Sequence, residues 1–153
     1  MTTPGKQEIH DSPIDWVAKH IRTYVESGGR KGHLYHGSPT LLLTTRGRKS
    51  GLLRRTPLIY GQHGDRYLLV ASNGGASEHP AWYLNLSAHP EVTVQVGTDI
   101  FTARGRTATP EEKDSLWQVM TSVFPLYDRY QAASERDIPL VILEGDTPLT
   151  VAG

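Results

Sequence analysis

Between residues 33 and 108 the chain breaks into extended segments separated by tight, glycine-bearing turns. This spacing narrows the possible folds more than any other feature. The clearest segment is Val92-Thr93-Val94-Gln95-Val96, where apolar and polar side chains alternate with the period of a half-buried strand. Gly97-Thr98-Asp99 then turns the chain into a second extended run over 100–108. Further strands are expected at 33–36, 40–46, 54–62, 66–72 and 138–144. Turns this short return a chain antiparallel to itself, whereas a parallel crossover needs roughly a dozen residues or more. The expected fold class is α+β: about six mainly antiparallel strands curled into a barrel, with flanking helices.

Helices interrupt the strands at predictable places. Ser12-Pro13-Ile14-Asp15 reads as a helix start, with Ser12 as cap and Pro13 in the first turn. Ile14, Val17, Ile21, Tyr24 and Val25 share its apolar face, and Gly28-Gly29 stops it. A short helix over 80–87 opens at Pro80 and ends before His89-Pro90. Thr109-Pro110-Glu111-Glu112 starts another, with acids in the first turn where the helix dipole favours them. Leu116, Val119, Met120 and Val123 form its apolar face, Pro125 breaks it, and 126–134 forms one more short helix. The 153 residues are expected to make one domain over 13–146, between an unstructured tail 1–12 and a short tail 147–153. Residues 1–11 are polar and no apolar run approaches the ~20 residues of a membrane span, so a cytoplasmic location is expected. The amphipathic segment 14–27, with Trp16, Lys19 and Arg22, leaves peripheral contact with the inner face of a membrane open beside ordinary packing on the barrel.

Sixteen Lys and Arg balance sixteen Asp and Glu, which argues against a whole-molecule basic field for nucleic acid. With no Cys, disulfides, thiolate metal sites and Cys nucleophiles are excluded. The charge is nonetheless uneven. No acid occurs between Glu26 and Asp65, while Arg30, Lys31, Arg46, Arg48, Lys49, Arg54 and Arg55 all do. The densest part is the turn Arg46-Gly47-Arg48-Lys49-Ser50-Gly51. Glycines there let backbone N–H groups face an oxyanion, and Arg can bind phosphate or carboxylate bidentately. The turn is therefore either an anion clamp or a solvated basic hairpin. It lacks the Walker pattern, and no aromatic RNA-binding motif accompanies it.

Two further clusters bear on chemistry. Ala71-Ser72-Asn73-Gly74-Gly75 follows a hydrophobic strand and leads to Trp82, so a planar ring or an anion can approach its backbone. Trp82 itself suits either a ligand cover or the core. Phe124, Tyr127 and Tyr130, with Trp117 before them, suit either core packing or a lid over a flat apolar substrate. His33 and His36 lack a third ligand for a metal, and no GxSxG, HExxH or paired-carboxylate motif occurs. An anion clamp beside a flat-ring pocket, without a side-chain nucleophile, points to a borrowed cofactor.

The ordered set Leu43-Thr44-Thr45-Arg46-Gly47-Arg48-Lys49-Ser50-Gly51, Arg54, Pro57-Leu58, Ser72-Asn73-Gly74-Gly75 and Pro80-Ala81-Trp82-Tyr83-Leu84-Asn85-Leu86 resembles the deazaflavin-dependent nitroreductase and quinone reductase family. The similarity runs from about Trp16 to Glu144. It implies a split β-barrel of the FMN-binding type and the deazaflavin coenzyme F420, with hydride passing to a quinone or nitroaromatic. It implies that Arg48, Lys49, Ser50 and Arg54 hold the cofactor's phosphate and glutamate tail. Pro57, Leu58, Ser72, Asn73, Gly74, Gly75 and Trp82 would border the ring, with Asn85 close behind. Ile59, Phe124, Tyr127 and Tyr130 would face the substrate. Ser72, Tyr127 and Tyr130 are the implied donors to the reduced acceptor. Asn73 stands where the family often has lysine, Phe124 lacks a tyrosine hydroxyl, and Ile59 replaces another Tyr. A cofactor-storage protein and an FMN enzyme on the same barrel are the competing classes. The physiological acceptor and the oligomeric state are not specified.

Overall fold

The computed structural model describes residues 9–11, 15–35 and 37–148. Its strands are β1 (Ile9–Asp11), β2 (Leu34–Tyr35), β3 (Ser38–Arg46), β4 (Leu53–Ile59), β5 (Gly61–His63), β6 (Arg66–Val70), β7 (Glu91–Val96), β8 (Asp99–Thr107) and β9 (Leu140–Pro148). The helices are α1 (Asp15–Ser27), α2 (Ala81–Ala88), α3 (Pro110–Val123) and α4 (Leu126–Ala133), and Asn73–Gly75 forms a 3-10 turn. The sheet order is β1-β4-β3-β7-β8-β9-β6-β5, with β2 paired to β3. Every pairing is antiparallel except β1 with β4. The α+β class holds, but nine strands occur among the described residues rather than about six.

The miscount has physical causes. A three-residue strand is too short to display alternation, so β1 reads from sequence as part of the tail. It is held from outside itself: Ile9, His10 and Asp11 lie in register with Leu53, Arg54 and Arg55. The segment 54–62 divides at Tyr60 into β4 and β5. β4 lies beside one edge of the sheet and β5 forms the other, yet one residue separates them. The sheet must therefore curl until its edges approach. No ladder between β4 and β6 closes it among the described residues. β9 also runs on to Pro148, into the expected C-terminal tail.

Both faces of the sheet are covered, which explains the unbroken apolar runs at 41–43 and 140–143. Leu41, Leu43, Leu69, Val94, Val141 and Leu143 fill the inside of the curl. Leu68, Leu140 and Ile142 face the other way, against Met120, Leu116 and Tyr127 of α3 and α4. Leu42 packs on Ile21 and Tyr24 of α1. That packing occupies the apolar face of α1, although Val25, expected on it, is exposed. The Tyr24 hydroxyl donates to the Thr40 carbonyl and accepts from Gly97 N at 2.8 Å. Gly28 and Gly29 end α1 at positive φ, as expected. The cap at 12–14 and His36 lie outside the described residues. No helix among the described residues is long and apolar enough to cross a membrane.

α3 begins as its sequence predicts. Thr109 accepts from Glu112 N at 3.2 Å, and the Glu112 carboxylate accepts from Thr109 N at 2.9 Å. The same carboxylate takes both terminal nitrogens of Arg106, which holds it down at about 2. Gly61 makes room for this helix. A Cβ there would lie 2.7 Å from Met120 Sδ.

Candidate active site

The hairpin between β3 and β4 is tied by its own backbone. Gly47 N donates to Leu52 O at 2.7 Å and Gly51 N to Gly47 O at 2.9 Å, with Gly51 at φ 73°. Ser50 Oγ accepts from Leu52 N, and Arg46 Nη1 donates to Gly51 O. This closes the turn and points Arg48 and Lys49 outward, both exposed. α2 reaches the turn from the side. Its buried Asn85 accepts through Oδ1 from Arg48 N at 3.1 Å and from Arg48 Nη1 at 3.0 Å. Asn85 thus braces the turn from beneath.

An open cavity of about 580 Å³ lies here, lined by Arg48, Lys49, Ser50, Arg54, Arg55, Thr45, Gly47, Thr56, His10, Asp11, Ala81, Trp82 and Asn85. Arg46, Arg30 and Lys31 take no part in it. The cluster is not free of counter-charge, contrary to the sequence reading. Asp11 arrives on β1 and takes Arg55 Nε at 2.8 Å and Nη2 at 3.1 Å. Local sequence could not reveal this, because Asp11 precedes the whole cationic interval. Lys49 and Arg54 have no carboxylate partner among the described residues.

A second cavity of about 540 Å³ adjoins the first and shares Thr56 and Trp82 with it. Its walls are Pro57, Leu58 and Ile59 of β4, Ser72, Asn73 and Gly74 of the turn, and Phe124, Tyr127 and Tyr130. Trp16 and His20 of α1, Thr40, Val70 and Pro80 complete it. The structure thus gathers every sequence-predicted site residue into one groove except Gly75. Gly75 backs the wall instead: a Cβ on it would lie 3.5 Å from Tyr130. Trp82 packs on the inner core and also lines both cavities.

The aromatic half is built by packing across α3 and α4. Ring centroids of Phe124 and Tyr127 lie 5.0 Å apart, and those of Tyr127 and Tyr130 6.4 Å. Burial pushes the Tyr127 phenol well above its usual range, so it stays a neutral donor. Ser72 is 9% exposed and its hydroxyl makes no hydrogen bond with a described residue. The turn after it is unusual in that Asn73, Gly74 and Gly75 all have positive φ, at 49°, 64° and 84°. Asn is among the few side chains that accept this region. Sequence reading missed Trp16, His20, Asp11 and His10. The only available signal was the helical spacing of Trp16 and His20, which place one above the other on α1.

Comparison with known proteins bears on the groove as a whole. The family model for F420H(2)-dependent quinone reductase matches residues 16–145. The F420H(2)-dependent quinone reductase Rv1261c of Mycobacterium tuberculosis is 40% identical over 134 residues, which cover 85% of this chain and 90% of that protein. A solved F420-H2 dependent reductase, FDR-A, is 38% identical with a TM-score of 0.65, covering 69% of this chain and 94% of that one. A further solved structure, described as a domain-swapped dimer, is 36% identical with a TM-score of 0.67, covering 87% of this chain and all of its own. The heme storage protein HutZ of Vibrio cholerae shares the fold alone, at 18% identity and a TM-score of 0.53 over 71% of this chain and 82% of that one.

Proposed function

The chain belongs to the F420H(2)-dependent quinone reductase family, and on that premise we propose that its groove binds coenzyme F420 and brings a quinone against the deazaflavin ring. The observation that carries this reading is the division of one groove into a cationic cavity and an aromatic cavity that meet at Trp82. An acidic tail needs cations without carboxylate partners, and Lys49 and Arg54 supply them. A flat ring needs an apolar slot with few polar groups, and Pro57, Leu58 and Trp82 supply it. The residues present fit the cofactor. We read the curled, unclosed sheet as a split barrel.

Arg48, Lys49, Ser50 and Arg54 would hold the tail, with Asn85 fixing Arg48 from below. Pro57, Leu58, Ser72, Asn73, Gly74 and Trp82 would border the ring, with Gly75 behind them. When bound and reduced, the deazaflavin supplies a hydride. The protein's own contribution is to orient the acceptor and exclude water around it. An acceptor that gains a hydride carries negative charge and then needs a proton. We assign that donation to the hydroxyls of Ser72, Tyr127 and Tyr130, with Ser72 first because it adjoins the Gly74–Gly75 pair that would border the ring. Ile59, Phe124, Tyr127 and Tyr130 would seat the flat acceptor. A nitroaromatic is a second acceptor of suitable shape.

The test is a fluorescence titration of the purified chain with oxidised F420, followed by turnover of reduced F420 against a panel of quinones and nitroaromatics. Saturable binding and quinone-dependent oxidation are expected. Binding without oxidation by any acceptor would turn the reading towards storage, and preference for FMN would replace the cofactor.

A further inference from the structure

Arg136 lies in the loop between α4 and β9 and belongs to none of the motifs above. Its guanidinium nevertheless reaches the groove's wall from behind. Nη2 donates to the carbonyls of Ser72 at 2.7 Å and Ala71 at 3.1 Å, and Nε to that of Ala76 at 2.9 Å. Nη1 meets Nδ1 of His79 at 2.9 Å. These four acceptors bracket the positive-φ turn Asn73–Gly75 on both sides. Of the other hydrogen bonds recorded there, Asn73 Nδ2 to Glu78 O, Gly75 N to Ser72 O and Ala76 N to Asn73 O are internal to the same segment, and Ala71 N donates to Pro139 O at 2.9 Å at its start. Among the described residues, Arg136 is therefore the side chain that ties both flanks of the turn to the body of the protein. The tether is itself anchored. Gln131 donates to the Arg136 carbonyl at 3.0 Å and accepts from Ile138 N and Lys113 Nζ.

We infer that Arg136 is a positioning residue: it fixes the Ser72–Gly74 wall at the distance from Tyr127 and Trp82 that the reaction needs, without touching cofactor or acceptor. The inference rests on the reading of the aromatic cavity as the place of hydride transfer. A planar fork of five N–H donors matches converging carbonyls, and an ammonium does not. His79 adds a condition, since only its unprotonated Nδ1 can accept from Arg136. The imidazole faces the Arg136 guanidinium and the Tyr83 ring of α2, at 4.9 Å between centroids, with Glu78 beside it in the chain. Desolvation, then the Arg136 charge, hold it below its usual range. Its protonation places two cations side by side and loosens the tether.

The experiment compares the full chain with Arg136→Ala, Arg136→Lys and His79→Gln. In the free protein, amide exchange at 72–76 should quicken about tenfold or more in Arg136→Ala, with the sheet unchanged. The kcat/KM for a quinone should fall about 10- to 100-fold, as misplacement predicts. The Kd for oxidised F420 should change by less than about threefold, because Arg48, Lys49, Ser50 and Arg54, which would hold the tail, lie on the hairpin the tether does not touch, and each tenfold in Kd needs ~1.4 kcal/mol. Millimolar guanidinium should restore part of both losses in Arg136→Ala. Arg136→Lys should fall between, and His79→Gln should flatten the acid limb of the pH profile below about 6.5. Unchanged exchange at 72–76, or equal losses of F420 affinity and turnover without rescue, would overturn the assignment. A wild-type chain that binds no F420 defeats the functional reading instead, and the exchange data then decide the tether alone.

Discussion

The two halves of the groove are built in opposite ways. The cationic half comes mostly from one hairpin, residues 47–56, whose turn is closed by its own backbone and leaves Arg48, Lys49 and Arg54 exposed. The aromatic half comes from α1, β4, the turn at 72–74, α2 and the junction of α3 with α4. Charge on an exposed local turn acts through screened electrostatics, so it tolerates neighbours and responds to salt. A slot assembled from many elements depends on close packing and responds to volume. Binding the tail and placing the acceptor should therefore be separable by mutation.

The largest effect is expected beneath the aromatic half. Met120→Ala empties a fully buried site under α3 and should cost about 2–5 kcal/mol of stability, read by urea unfolding. Its kcat/KM for quinone should fall further than its F420 affinity, and equal losses would erase the proposed division. On the other side, Arg54→Ala should weaken F420 binding by about 1–3 kcal/mol, with the difference shrinking as salt is added. A salt-independent loss would mean the hairpin acts by shape. Ser72→Ala should lower turnover about tenfold, or about 1.4 kcal/mol of barrier, with the F420 Kd nearly unchanged. Asp11→Asn sharpens the contrast by its sign. Releasing Arg55 should tighten F420 binding at low salt by less than about 1 kcal/mol, the range for partly exposed pairs. The smallest effect concerns Glu112, whose folded carboxyl is held near 2. Its contribution is present above the unfolded value of about 4.3, and fades as pH falls from there towards 2. In Glu112→Gln the acid limb of the stability curve should be shallower across that window.

Much of the groove was legible because its parts are local. The hairpin, the glycine pair after β6 and the aromatic segment each announce themselves within a dozen residues. The capping box of α3 follows from residues 109–112 in the same way. What stayed hidden depends on contacts between distant segments. Asp11 neutralises Arg55 only because β1 pairs with β4, and a three-residue strand carries no period of its own. Trp16 and His20 enter the aromatic cavity only because α1 packs on Leu42. Arg136 reads as an ordinary surface arginine until β9 and the turn at 71–79 are placed side by side.

The order of residues by itself determined the kind of chemistry available: cations at a glycine turn, a backbone that can bend at 73–75, aromatics near the end of α3, and no thiol. Tertiary structure alone decided which of those cations is already paired, how the two cavities join at Trp82 and what holds Ser72 in place. The reason is the range of the forces involved. Turn geometry and capping are settled within a few residues, whereas ion pairing and hydrogen bonding act over a few ångströms and take no account of separation along the chain.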